Sequence, residues 1–488
     1  MKTIDTADLS NVKKHLSNAT FPGVLTTLFE VIMDQHGKVF AVVTVNSVRQ
    51  VHAIGSKVLD NLVRTIGRIA DVKVTNHQLK DINSDLHSFA EMSGKIRQVF
   101  RRVAPIDNGV EIDIGDVERT TVKITSNKVV VSASDSSTLF HRPSHARSMG
   151  EIAEIGDLVL LHKYINCDGK SFWLLIAWLT YTLALPKIPT SKYVILSLQG
   201  GMGSGKTQLA KLIKTLVDPG VIGVEVMPKN IQDLSISAQG SHVLAWDNLR
   251  PLNHQTSDWL CMAATGSAMA TRTLYSDSER TIHQLHVAIV LNGISSLIDQ
   301  PDLQSRTLPL HLMKLTPESR KTEAEMAIEL EADLPKIRRG LFDLISKIFY
   351  YRPTVKPISP ERMIELSIWM AAMEPAMGMS EGFLQKRFTE VMKEGQREAL
   401  LDDDFSSAFL TFCEKLKEEW RGTPASLLKE LNDEYGHLTH RSSSWPPNAI
   451  SLSKKLRVLQ APLASQSIAI EFARQTDRII TITCASKF

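Results

Sequence analysis

The sequence predicts an α/β protein: a core with a largely parallel sheet, an α+β domain before it, and a helical connector and small terminal unit after it. Three observations predict this. Between Glu151 and Leu315, apolar strand-like runs alternate with helical ones, the pattern of strands joined by crossover helices. Residues 316–420 are rich in Glu, Lys, Met and Leu and read as a helical lid and connector. The last eighty or so residues run helix, helix, strand, turn, strand, the order of a winged helix-turn-helix.

A chain of 488 residues exceeds what one hydrophobic core usually serves, so several cores are expected. With 43% hydrophobic and 22% charged residues, the composition is that of an ordinary globular protein. Net charge is only +3, so any nucleic-acid contact must come from local basic patches. The four cysteines, Cys167, Cys261, Cys413 and Cys484, lie far apart and form no zinc spacing, which fits a reducing cytosol. The N-terminal stretch has no secretory-signal pattern. The most apolar run, Phe172 to Leu185, is too short to span a bilayer comfortably and reads as a buried core helix. A cytoplasmic protein without a membrane partner is expected.

In chain order, residues 1–150 mix strand-like stretches, Val39 to Val45 and Val129 to Val131, with a helical pattern around Asp81 to Val103. The turn-rich exit Ser132 to Gly150 reads as a linker or docking segment. In the core, 151–315, the expected strands are Tyr193–Leu198, Val243–Ala245, His286–Leu291 and Thr307–Leu312. In the last unit, 421–488, helices are expected at Thr423–Leu431 and Pro447–Leu459, and strands at Ser467–Phe472 and Arg478–Thr483.

The strongest motif is Gly200-x-x-x-x-Gly205-Lys206-Thr207, between an expected strand and the amphipathic run Gln208–Val217. Flexible glycines let backbone N–H groups turn towards phosphate oxygens, so Gly200, Gly201, Met202, Gly203, Ser204, Gly205, Lys206, Thr207 and Gln208 form a candidate ATP-binding loop. Lys206 would reach the β and γ phosphates and Thr207 would ligate Mg²⁺, with the helix dipole adding to the attraction. Mg²⁺ also needs an acid at the end of a neighbouring strand, and SHVLAWDNL supplies Asp247. The next residue is Asn248, which can orient a water but cannot take its proton. The hydrolytic base is therefore open, with Asp258 and Asp233 as further acids.

The third strand ends in Asn292, either a sensor of the γ-phosphate or a strand-end turn before Gly293. Arg306, in DLQSRTLPL, is placed either to reach a neighbouring subunit's γ-phosphate or to make a surface salt bridge. Between the second and third strands, ATRTLYSDSERT reads as a hairpin carrying Arg272, Tyr275 and Arg280. It can touch a nucleic-acid backbone by charge and stacking, or be a solvated turn. Lys454, Lys455 and Arg457 lie on a short helix whose apolar positions Ile450, Leu452, Leu456 and Leu459 are expected to face the core. As a recognition helix it would bring three cations to DNA, although winged helices also mediate protein contacts.

The order of parts resembles the superfamily 3 helicases of the AAA+ class and, more closely, P-loop ATPases of bacterial mobile elements. The matching stretches are LSLQGGMGSGKTQLAKLIKTLVDP, VLAWDNL, DWLCMAATGSAMATRTLYSD, VLNGISSLIDQPDLQSR, WMAAMEPAMG and WRGTPASLLKEL. They span about residues 150–460. The resemblance implies an AAA+ P-loop core with Lys206, Thr207 and Asp247 as nucleotide and Mg²⁺ residues, Asn292 as sensor, Arg306 as finger and Arg272 as a DNA-hairpin residue. Two departures stand out: Asn248 replaces a second acid, and the hairpin lacks a lysine before the sensor strand. The N-terminal domain shows no acidic trio or zinc pair of a primase or nuclease.

The expected function is an ATP-dependent DNA helicase or translocase, working as a homo-oligomeric ring, most simply a hexamer, in replication or maintenance of a mobile element. The alternative is a nucleotide-gated AAA+ assembly switch with slow hydrolysis. A third class is a DNA-binding scaffold that merely retains a nucleotide fold.

Overall fold

The computed structural model describes residues 21–45, 48–133, 137–272, 280–293, 298, 300–315, 322–358, 362–416, 419–439, 444–474 and 478–484. The chain opens with α1 (Phe21–Leu28), β1 (Glu30–Met33), β2 (Val39–Val45), β3 (Val48–Ala53), α2 (Lys57–Ile69) and α3 (Asn76–Ser93). Strands β1 to β3 form an antiparallel sheet in sequence order. Alternate side chains of β2 divide between two cores, as strand periodicity requires. Val39, Ala41 and Val43 pack with Leu59, Val63 and Leu79, whereas Phe40 and Val42 pack with Val51 and Leu139.

The helical pattern expected to reach Val103 stops ten residues earlier. Helix α3 begins with a reciprocal cap between Thr75 and Gln78 and ends at Gly94, whose φ of 60° closes the last turn. Beyond it come β4 (Val99–Phe100), β5 (Val103–Ile106), β6 (Gly109–Asp113), β7 (Thr121–Thr125), β8 (Lys128–Ser132) and β9 (Leu139–Phe140). Strands β5 to β8 form an antiparallel meander, and β4 pairs in parallel with β9.

The apolar run becomes α4 (Gly169–Leu183), capped by Asp168 and buried at almost every side chain from Ser171 onwards. Its polar groups are satisfied inside: Trp178 Nε1 donates to the Val194 carbonyl at 2.7 Å, and Thr180 Oγ1 to the Ile176 carbonyl at 2.8 Å. No described helix is long and apolar enough to cross a membrane.

The central layer contains β10 (Ile195–Gln199), α5 (Lys206–Val217), α6 (Ile231–Gly240), β11 (Val243–Leu249), α7 (His254–Thr265), β12 (Ala268–Arg272), β13 (Arg280–Gln284), β14 (Ala288–Gly293), α8 (Pro301–Gln304) and β15 (Thr307–His311). Its sheet has the order β11-β14-β10-β15, with every pairing parallel. Helices on both faces bury it. Leu196, Leu198 and Val290 pack with α4 and α5, while Ile195, Leu244, Trp246 and Ile289 pack with α6 and α7. Strands β12 and β13 pair as the expected hairpin.

The connector is α9 (Glu323–Tyr351), α10 (Ile364–Ala376) and α11 (Phe383–Asp402). Buried Glu374 accepts the backbone N–H groups of Gly382, Leu384 and Gln385 at 2.7–3.2 Å and thereby holds the start of α11. The last unit contains α12 (Asp404–Lys415), β16 (Trp420–Gly422), α13 (Pro424–Thr439), α14 (Ala449–Ser465), β17 (Ile468–Arg474) and β18 (Arg478–Cys484), with antiparallel sheet order β16-β18-β17. Phe405, Phe409 and Cys413 of α12 share one core with Leu427, Leu452, Leu456, Ile480 and Ile482.

The N-terminal domain is fastened to the central layer by buried charge. Asp218, just after α5, accepts from Arg101 Nη2 at 2.7 Å and Arg102 Nε at 3.2 Å through one oxygen. Its other oxygen accepts the N–H groups of His242 (2.7 Å) and Val243 (3.3 Å), where β11 begins. Burial alone would raise the Asp218 pKa, but Arg101, Lys214 and Arg102 hold it well below the usual carboxylate range. The turn-rich exit docks alongside: Arg147 N donates to the Pro219 carbonyl at 3.0 Å, and Val221 N to the His145 carbonyl at 2.8 Å.

Candidate functional site

The loop 200–205 leaves the carboxyl end of β10 and enters α5, so its backbone N–H groups gather at a helix N-terminus. The tight turn depends on glycine. Gly200, Gly203 and Gly205 all have positive φ, and a Cβ on Gly200 would sit 2.7 Å from the Leu312 carbonyl. Met202 at the tip is exposed, while Ser204 is buried and its Oγ has no hydrogen-bond partner among the described residues. Lys206 Nζ donates to the carbonyls of Gly200 at 2.7 Å and Gly201 at 3.0 Å, within its own loop.

Three residues from separate elements meet beside this loop. Thr207 Oγ1 donates to Asp247 Oδ2 at 2.8 Å. Asn292 Nδ2 donates to Thr207 Oγ1 at 3.2 Å and also to Asp247 Oδ1. Asp247 lies near the carboxyl end of β11 and Asn292 near that of β14, and β14 lies between β11 and the loop-bearing β10. Asn292 is 2% exposed, so its amide is committed to this cluster rather than to a surface turn.

Asn248 follows with φ of 56°, exposed, its N–H donating to Asp247 Oδ1 at 2.7 Å. Asparagine tolerates this left-handed backbone better than most residues. Gln208 is half-buried on the first turn of α5. Asp233 lies in α6 and Asp258 in α7. Glu225 escapes sequence reasoning. Its carbonyl accepts Asp247 N at 3.1 Å and its N–H donates to the Ala245 carbonyl at 2.9 Å, extending the sheet past β11. The alternation Val224-Glu225-Val226 was the signal for it.

Arg306 does not join the cluster. It precedes β15 at the amino end of the sheet, where Ile195 N donates to its carbonyl at 3.0 Å, whereas the loop leaves at the carboxyl end. Five strand residues separate the two ends, roughly 16 Å at about 3.3 Å per residue. The guanidinium pairs with Asp302 at 3.3 Å.

The expected DNA contacts are dispersed. Arg272 and Arg280 are register partners in the β12–β13 hairpin, and Tyr275 lies outside the described residues. On α14, Lys455 Nζ is tied to Asp403 at 3.0 Å and the Ser444 carbonyl at 2.7 Å, over the Phe405 ring. Arg457 lies over Phe472, 4.1 Å from the ring centroid. Lys454 is exposed and lines a cleft of about 650 Å³ between α14, α11 and α8. Ile450 was expected to face the core but is 63% exposed. The helical period carries it to the same outer face as Lys454, four residues on.

The donor set fits a triphosphate with Mg²⁺. Gly200 has no room for a Cβ against Leu312 and Ser204, so the tight glycine turn is kept, Ser204 Oγ is a buried polar group without a partner among the described residues, and Thr207 and Asp247 supply the hard oxygen ligands Mg²⁺ takes alongside phosphate oxygens. Residues 155–384 match the family model described as "Actinomycete integrative conjugative element replication protein", and residues 405–487 match "AICE RepA C-terminal domain". The two follow one another in the order of one protein and together take in more than half of the chain.

The chain belongs to this replication-protein family. It is thus a replication protein of a mobile element, and its loop, Asp247, Asn292 and Arg306 all lie within the first family match. Residues 1–154 fall outside both matches. No curated protein matches the chain. Among solved structures, three of the NrS-1 C-terminal region align at 12% identity. The A form covers 96% of this chain and 99% of that one with TM-score 0.40, and a second A-form structure covers 96% and 98% with 0.37. An apo structure covers 99% and 100% with 0.38. So loose an overlap carries no reading of any residue.

Proposed function

We propose that this replication protein is an ATP-dependent DNA helicase or translocase with an AAA+ P-loop core and a C-terminal winged helix, acting as a ring. The observation that carries the reading is the meeting of Thr207, Asp247 and Asn292 at the carboxyl ends of adjacent parallel strands, beside a glycine loop that opens α5. On this reading the loop N–H groups bind the phosphates, and Lys206 leaves its two loop carbonyls for the β and γ oxygens. Mg²⁺, held by Thr207 and Asp247, supplies charge neutralisation on the phosphates. Asn292 orients groups around the γ-phosphate. The order of α12, β16, α13, α14, β17 and β18 supports the winged-helix reading.

The test is ATP turnover of the full chain with and without forked DNA, together with strand displacement. DNA-stimulated turnover and displacement are expected, both lost in Lys206→Ala. Turnover indifferent to DNA, with no displacement, would sink the helicase reading.

Asn248 favours the second reading, a nucleotide-gated assembly switch, because an amide cannot accept the water's proton. Asn248→Asp supplies a carboxylate that tolerates the left-handed backbone of this position. Faster hydrolysis in that variant without any gain in strand displacement would favour the switch.

A further inference from the structure

A small cleft in the N-terminal domain, outside both family matches, is lined by Arg49 and Val51 of β3, Asp113 of β6, Arg119, Thr121 of β7 and the β9 segment. Among the residues lining it are two arginines and one carboxylate. Asp113 is matched by Arg142, which donates to both of its oxygens, at 2.8 Å through Nε and also through Nη2. Thr121 and Thr138 direct their hydroxyl protons to Glu111 at 2.8 and 2.5 Å. Arg49 and Arg119 remain, and neither donates a side-chain hydrogen bond to any described residue.

The nearest carboxylate to Arg49 is Glu30 at 3.6 Å, already shared with Lys95 at 2.5 Å and Arg97 at 3.4 Å. Arg49 Nε is buried and has no hydrogen-bond partner among the described residues. Arg119 is half-buried beside Arg142; burial, followed by that like charge, pushes its pKa down despite the opposing pull of Asp113 and Asp116, neither of which accepts a hydrogen bond from it. A guanidinium has five donors, and withdrawing them from water without an acceptor is costly.

Arg119 also has φ of 60°, a left-handed backbone in which the Cβ of arginine crowds the following carbonyl. Two under-used guanidiniums, one on a strained backbone, converge on one cleft. Packing gains nothing evident from that arrangement, whereas an oxyanion would satisfy both, since the guanidinium fork matches phosphate geometry. The cleft volume is about 30 Å³. It admits no base or sugar, so a phosphate would sit across its mouth with the two guanidiniums reaching out to it.

We propose that this cleft is a phosphate-binding slot in which Arg49 and Arg119 clamp one phosphate group, supplied either by a nucleic-acid backbone or as free phosphate. The proposal is independent of the loop at 200–207. It is tested in the full-length chain carrying Lys206→Ala, which removes the other expected phosphate site, with and without Arg49→Gln combined with Arg119→Gly. One arm measures affinity for a duplex oligonucleotide across a salt series without nucleotide. The other measures the rise in thermal midpoint caused by inorganic phosphate.

A backbone phosphate predicts an affinity loss of about ten-fold, the size of a lost charge-assisted hydrogen bond, and a salt slope smaller by about 0.9, one phosphate contact. Free phosphate predicts instead that the phosphate-induced rise disappears while DNA affinity holds. Arg119→Gly alone relieves the left-handed strain, so its ligand-free midpoint should hold or rise, and Arg49→Lys should retain part of the binding. Unchanged DNA affinity, salt slope and phosphate response would overturn the slot. So would a fall in the ligand-free midpoint of Arg119→Gly, which would assign the arginine to packing.

Discussion

Asp218 joins three pieces of chain: the end of α5, the start of β11 and the Arg101–Arg102 pair of the N-terminal domain. Replacing it with alanine leaves Arg101 and Arg102 buried without their countercharge and frees two backbone N–H groups. Breaking a buried pair in this way costs roughly 3–5 kcal/mol. Urea unfolding of Asp218→Ala should show a loss of that size, and a loss below about 1 kcal/mol would mean that the network relaxes around the gap. Nothing local in the sequence announces this residue, because its arginine partners are 116 and 117 positions away. Lys206, Thr207 and Asp247 are legible for the opposite reason. A glycine turn before a helix and an apolar strand ending in an acid are local patterns that chemistry dictates. Asn292 is intermediate: its position at a strand end is legible, but its two hydrogen bonds require the strand order.

The core strands are legible because each is a short apolar run bounded by turns. Two of the four begin where expected, at Val243 and Thr307, and the remaining limits differ by one to four residues. Helix α3 is overextended by the sequence reading because the apolar period continues past Gly94, where backbone conformation overrides it. Strand β16 is too short to have a period, and only its pairing with β18 defines it. Helix α14 is legible, but the use of its cations is not. Lys455 is tied to Asp403 and Ser444, so Lys455→Ala should lower thermal stability. Lys454 has no such tie among the described residues, so Lys454→Ala should weaken duplex binding and reduce the salt slope by about 0.9 while leaving the melting midpoint in place. The reverse assignment, stability lost through Lys454 and DNA affinity through Lys455, would show that α14 meets DNA by another face. Because α12 shares the C-terminal core, a deletion that removes this unit cleanly begins near Asp403.

At the scale of the whole molecule, four histidines among the described residues are held neutral by burial. His242 is pushed down to about 3, and His52, His141 and His286 to about 4, from an ordinary value of 6.5. Between pH 6.5 and 4 the unfolded chain gains protons that the folded chain refuses. Stability is therefore full above about 6.5 and falls as pH drops through that window, by up to about 1.4 kcal/mol per pH unit for each histidine. A melting midpoint that stays flat from pH 7 to 5 would contradict this burial. The final prediction concerns assembly. Arg306 lies at the amino end of β15 and the phosphate loop at the carboxyl end of β10, roughly 16 Å apart along the parallel strands. An arginine cannot bridge that distance within its own subunit, so a role at the γ-phosphate requires a neighbouring one. Its pairing with Asp302 would have to open on assembly; in the single chain, Asp302 already has a second partner in Arg362. A head-to-tail interface that places Arg306 of one subunit at the loop of the next is the kind that closes into rings. Subunits carrying Lys206→Ala and subunits carrying Arg306→Ala should each turn over ATP poorly. Mixed together they should recover part of the activity, because some interfaces then pair an intact loop with an intact arginine. Full activity of Arg306→Ala alone, or equal activity at dilutions where only monomer exists, would return Arg306 to a structural ion pair with Asp302.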